Sequence, residues 1–121
     1  MNLINIKEVV GEKNLEDAKW EIDDFAITII KEYTKDNDSK VYNVNLRRLK
    51  EKFDTVITIN KDQSKVIGFC PCKEASKFGV CKHMAMSLIM IEEHENKKNN
   101  SKNSIQIFCN VAHFDISIIT N

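Results

Sequence analysis

Long apolar runs are missing from this sequence: no stretch reaches the roughly 18–20 residues needed to cross a bilayer as a helix. The N-terminal stretch alternates charges with short apolar groups and lacks the apolar core of a secretory signal. These two absences predict an intracellular, cytoplasmic protein with no membrane partner, whose thiols stay reduced. Net charge is missing too, since 18 Lys and Arg balance 18 Asp and Glu, so bulk electrostatics do not point to nucleic acid. No glycine-rich phosphate loop, Ser-His-Asp order or His-Glu-x-x-His pattern is present. The His-x-Glu and Cys-x-x-Cys signature of zinc deaminases is absent as well. The expectation is a chain that is not an enzyme and takes no small-molecule substrate. No internal repeat is visible.

What is present fits one domain, or one domain with tails: 121 residues, 42% hydrophobic and 30% charged. A core of that size is adequate but not generous, so a metal would help hold it. Charge is unevenly distributed. Residues 1–39 carry a net −5, residues 40–83 a net +6 and residues 84–121 a net −1. The basic segment suits an anionic partner, or it neutralises the acidic N-terminal segment within one fold.

Coarse organisation follows from periodicity. Residues 2–20 show loose helical spacing broken at Gly11. Residues 25–33 are rich in β-branched and aromatic types and predict a strand. Residues 36–39 are turn chemistry, and residues 40–47 alternate as a half-buried strand, with Tyr42, Val44 and Leu46 on one face. Residues 48–54 predict a charged connection with room for a helical turn. Residues 55–60 and 65–69 predict a hairpin around Lys61–Ser64. Residues 82–95 lack Gly and Pro and predict a helix. Residues 96–104 predict a polar linker, and the apolar residues 105–119 favour strand. The fold class expected is α+β: small antiparallel hairpins, a metal-binding loop and an apolar helix. The predicted organisation is an N-terminal segment at 1–39, a zinc-binding module at 40–95, a linker at 96–104 and an apolar segment at 105–121.

The chemistry concentrates between residues 70 and 83. Cys70-x-Cys72, eight residues, then Cys81-x-His83 supplies three sulfurs and one imidazole. That is a standard tetrahedral set for one structural zinc ion per chain. Residues i and i+2 of a flat strand do not converge on one ion unless the chain bends. Pro71, between the first two cysteines, removes a backbone donor and ends the strand there. Cys81 would precede the first turn of the next helix and His83 would lie in it, where free N–H groups favour thiolates. Gly79 lets the chain turn before that start. Three thiolates and a neutral imidazole on Zn²⁺ leave a charge of about −1, which Lys73 and Lys82 can offset. The alternative is that the cysteines are packing or redox thiols.

Cys-x-Cys followed by Cys-x-His, after a hairpin and running into an apolar helix, resembles the SWIM zinc finger of bacterial SNF2-type helicases and transposases. The resemblance covers roughly residues 40–95 and is most specific at Cys70, Cys72, Cys81 and His83. It implies binding to DNA or to protein, with no catalysis of its own. Because this chain shows no helicase or transposase domain, the implied enzyme partner would be a separate helicase-like chain.

Other residues remain open. Arg47, Arg48, Lys50, Lys52, Lys61, Lys65, Lys73, Lys77 and Lys82 are candidate phosphate contacts, or simply a solvated face. Aromatic interleaving is sparse, limited to Phe53, Phe69 and Phe78. Cys109, His94 and His113 can be read as a three-ligand site with an open position, as a second half-site, or as core and helix-end residues. From Met84 to Ile91 only Ser87 is polar, so this helix is either central to the core or a Met-rich docking surface for a protein partner. The apolar residues from Ile105 to Ile119 are expected to pack on that helix, in their own chain or exchanged with a second copy.

Overall fold

The computed structural model describes residues 5–36 and 39–111, with side chains only as far as residue 98. The chain begins with α1 (Ile6–Val10) and α2 (Glu12–Glu21), separated at Gly11, whose φ of 90° ends one helix and starts the next. A short 3-10 turn (Ile22–Asp24) leads into β1 (Ala26–Lys35), β2 (Ser39–Arg48), β3 (Glu51–Asn60) and β4 (Val66–Phe69). The short α3 (Lys73–Phe78) and the long α4 (Lys82–Val111) follow. The fold is α+β, built on a four-stranded antiparallel sheet in the order β1-β2-β3-β4.

Period-2 alternation fixes which side chains enter the core. Tyr42, Val44 and Leu46 of β2 face inward beside Ile57 and Ile59 of β3, and all five are buried. A bulge at Ile30 keeps β1 in phase, so that Ile29 and Glu32 both point to the inner side. Helix α4 packs on this inner face, and α1 and α2 pack on α4 as well. That two-sided burial explains why the helix is apolar all round. Met84, Ala85, Met86, Leu88 and Ile91 are buried, so Met84 and Met86 fill the core, while Met90 is half-buried. Ser87, the one polar residue in the run, is satisfied by the carbonyl of its own His83 at 2.9 Å and by the hydroxyl of Thr55 on β3 at 2.8 Å.

Three expectations need correction. Residues 48–54 hold no helical turn: Arg48 pairs with Glu51, and a tight two-residue turn at Leu49 and Lys50 joins β2 to β3. Leu49 takes a φ of 53° there, a role usually given to Gly or Asn, which is why the sequence hides it. Residues 96–104 are not a linker, because the backbone of α4 runs through them. Residues 105–111 are helical rather than strand, since the helix started at Lys82 meets no Gly or Pro. The rest of the apolar segment, His113 included, lies outside the described residues, as do the side chain of Cys109 and the expected packing of residues 105–119 on the helix.

Candidate metal centre

Strand β4 ends at Phe69, and Cys70 and Pro71 carry the chain off the sheet. Cys72 is the N-cap of α3, extended at φ −75° and ψ 162°, and its Sγ accepts from the Ala75 N–H at 3.4 Å. Gly79 closes α3 in the left-handed region at φ 81°, its N–H donating to the Ala75 carbonyl at 2.8 Å. Cys81 then leads into α4, and its carbonyl accepts from the Ala85 N–H at 3.3 Å. His83 sits in the first turn, as the spacing predicted. The helix inside the eight-residue gap was not anticipated, because its cap is a cysteine rather than the usual Ser, Thr, Asp or Asn.

The four residues converge. One ligand atom from each of Cys70, Cys72, Cys81 and His83 lies within 4.8 Å of all the others, so the group can hold a metal ion. His83 Nδ1 is 3.7 Å from Cys70 Sγ and 3.8 Å from Cys81 Sγ. Cys70, Cys81 and His83 are buried and Cys72 is half-buried. The sulfurs polarise one another. The Cys70 thiol pushes Cys81 down to about 4; burial opposes this, and hydrogen bonds from His83 and the Met84 backbone assist. The same contact with Cys81, reinforced by burial, pushes Cys70 up. A thiolate at Cys81 suits a cation that binds thiolate, and Cys70 would have to give up its proton to join it.

Aromatic rings fix the histidine. Phe53 stacks on His83 with ring centroids 3.9 Å apart, and Phe25 meets it edge-on at 5.9 Å. The Arg48 guanidinium lies 4.4 Å from the Phe25 centroid. Phe53 was a candidate for base stacking; instead it supports the site, while Phe69 and Phe78 are exposed. Phe25 was not singled out in the sequence and had no local signal beyond being aromatic.

The basic candidates divide into two groups. Arg48 and Lys82 are held by Glu21 of α2, at 3.0 Å and 2.9 Å. Lys82 foremost, with Arg48, holds the Glu21 carboxyl below its usual range despite its partial burial. These two cations, together with Lys40, pair with Glu21 and Glu32 of the acidic N-terminal segment. Arg47, Lys50, Lys52, Lys61, Lys65, Lys73 and Lys77 are exposed. Arg47 and Lys52 are register partners, whereas Lys73 and Lys77 belong to α3.

Sequence reading missed a second polar cluster. Glu32 on β1 accepts from His94 at 2.6 Å, Lys98 at 2.7 Å and Lys40 at 2.8 Å. Glu95 joins it through Tyr42 at 2.8 Å and Lys40 at 3.2 Å. His94 therefore sits within α4 and pairs with β1; it does not end a helix. Burial would raise the Glu32 carboxyl, but Lys40, Lys98 and His94 outweigh it and hold the group at about 2. Glu32, His94 and Glu95 lie close enough to chelate. With two lysines already on the same oxygens, the cluster is better described as an ion network.

No helix among the described residues is long and apolar enough to cross a membrane. No protein-family model matches the chain, and neither a curated protein nor a solved structure matches it.

Proposed function

We propose that this chain is a SWIM-type zinc module that holds one Zn²⁺ ion through Cys70, Cys72, Cys81 and His83, has no catalysis of its own, and binds nucleic acid within a DNA-processing assembly. The observation that carries the zinc reading is the convergence of three sulfurs and one imidazole nitrogen within 4.8 Å. Soft sulfur donors select zinc over magnesium or calcium, which take oxygen. Bonds of about 2.3 Å to sulfur and about 2.0 Å to nitrogen put tetrahedral S and N ligands roughly 3.5 Å apart. The spacings of 3.7 and 3.8 Å are within a small adjustment of that. Four protein ligands leave no position for substrate, which favours a structural role.

The binding reading rests on the exposed cations that remain after Arg48, Lys82 and Lys40 have found internal partners. The competing reading, a protein adaptor using the Met-rich helix, loses support because Met84 and Met86 are core residues.

Elemental analysis of purified protein tests the first half: one zinc per chain is expected, and two zincs, or none in a folded sample, overturns it. Affinity for DNA measured at two salt concentrations tests the second. It should fall as salt rises, because phosphate contacts release counterions. Salt-independent or undetectable affinity turns the assignment toward a protein partner.

A further inference from the structure

The helices fill one side of the sheet, and the other side carries exposed side chains of an unusual mixture. One cross-strand row runs Lys31, Asn43, Val56, Phe69, and the next begins on Tyr33 and ends on Ile67. Tyr33 is 43% exposed and Phe69 60%, on the two outermost strands. Three strand spacings and a two-residue offset along the strands separate them, about 16 Å. By the same alternation Lys31, Lys35, Arg47 and Lys52 point outward, and all four are exposed. Against them stands one outward strand carboxylate, Asp54, which accepts from the Asn45 amide at 2.7 Å. Lys31 Nζ lies over the Tyr33 ring, 5.1 Å from its centroid, so a cation and a part-exposed aromatic ring adjoin.

We propose that this outer sheet face binds single-stranded nucleic acid, with bases stacking on Tyr33 and Phe69 and phosphates meeting Arg47, Lys52 and Lys31. The proposal rests on the nucleic-acid reading above and adds the surface and the form of the ligand. Unstacked bases offer π-faces to exposed rings on a sheet, and any base will serve. A duplex keeps its bases stacked, and its major groove admits a helix or a two-stranded ribbon rather than a four-stranded face. The excess of cations complements a phosphate backbone, whereas the centre of a protein–protein interface is depleted of charge.

The test uses the full, zinc-loaded chain and fluorescence anisotropy with labelled oligonucleotides of about 12 residues. The probes are oligothymidine, oligouridine and a mixed-sequence duplex. Either single strand should bind roughly tenfold or more tightly than the duplex, and the two arms separate DNA from RNA as the source. Tyr33→Ala and Phe69→Ala should each weaken binding about five- to hundred-fold, while Tyr33→Phe and Phe69→Tyr retain it. Arg47→Ala with Lys52→Ala should weaken it and flatten the salt dependence by about one to two contacts. Zinc content is measured for every variant. Tyr33, on the strand farthest from the ligands, keeps the test decisive if Phe69→Ala loses metal. Equal affinity for the duplex, or binding indifferent to both rings, overturns the proposal. If binding is lost instead with Lys73→Ala and Lys77→Ala, the nucleic-acid reading stands and the sheet face falls. If the parent binds no oligonucleotide, both fall. A dimer detected by light scattering and dissolved by Phe69→Ala assigns the face to a second copy and also overturns it.

Discussion

Helix α4 is fastened to the sheet at two places by opposite means. Near its start, Cys81 and His83 meet Cys70 and Cys72 at the end of β4, all within one short stretch of chain and largely out of water. Three turns further on, His94, Glu95 and Lys98 meet Glu32 and Lys40 through contacts of 2.6–3.2 Å. Those side chains are 18–40% exposed. The first fastening has only weak sulfur hydrogen bonds of its own and would be completed by a cation; the second is complete in protein atoms alone. Their vulnerabilities are therefore complementary. Chelators and thiol reagents should attack one and leave the other, whereas salt should loosen the ionic one through screening; acid reaches both, since it protonates metal-binding thiolates as well as carboxylates.

The largest expected effect is at the metal end. Structural zinc supplies about 10–16 kcal/mol of apparent binding free energy in small fingers, against a total domain stability of about 5–15 kcal/mol. Cys72→Ser or His83→Ala should therefore remove hydrogen-exchange protection from Phe69 through the first turn of α4. Protection there equal to the parent's would refute the structural role. A smaller effect is expected at Gly68, on the inner face of β4. A Cβ there would collide with the Met84 methyl and press on Ile57 Cδ1 at 3.2 Å. Gly68→Ala should cost about 1–3 kcal/mol in urea unfolding, because Met84 is buried and has little room to yield. An unchanged midpoint would mean that the corner is looser than its packing indicates.

At the ionic end the effects shrink. Glu32→Gln should cost about 1 kcal/mol, as expected of a part-exposed network, and the difference from the parent should narrow at high salt. A difference that stays constant in salt would mean that Glu32 acts through packing. The pH dependence has a definite sign. Glu32 is held at about 2 in the fold against an ordinary 4.5, so its contribution is complete above 4.5 and is lost as pH falls toward 2. Parent and Glu32→Gln stabilities should therefore converge across that window, and any metal loss common to both cancels in the comparison. Parallel curves down to pH 2 would contradict the assignment.

The two fastenings also differed in how legible they were. The four candidate ligands stand within 14 residues, in a pattern of types and spacings that suits a metal. Tyr42, Val44 and Leu46 announced their face through alternation alone. The ionic end has no such signature, because Glu32 and His94 are 62 residues apart and Glu32 and Lys98 are 66 apart. Each looks like an ordinary surface charge until the sheet and helix have been assembled. Leu49 in a left-handed turn and α3 capped by Cys72 stayed hidden for another reason: in both places tertiary structure imposes a conformation that local propensity would not choose. The extent of α4 was underestimated because a polar run such as residues 96–104 has linker composition yet contains nothing that breaks a helix.

Strand β4 is only four residues long, and it covers β3 only from Val56 to Ile59. The uncovered half of β3 carries Glu51, Lys52 and Asp54, charges that discourage another strand from adding there. The covered half, Val56-Ile57-Thr58-Ile59, has no charge and high β-propensity. A metal held at the Cys70–His83 corner would tie β4 to α4 and so also keep a sticky edge sheathed. Stripping the ion should free β4 and bare that segment to other copies of the chain, so the first sign of metal loss would be turbidity that rises with protein concentration.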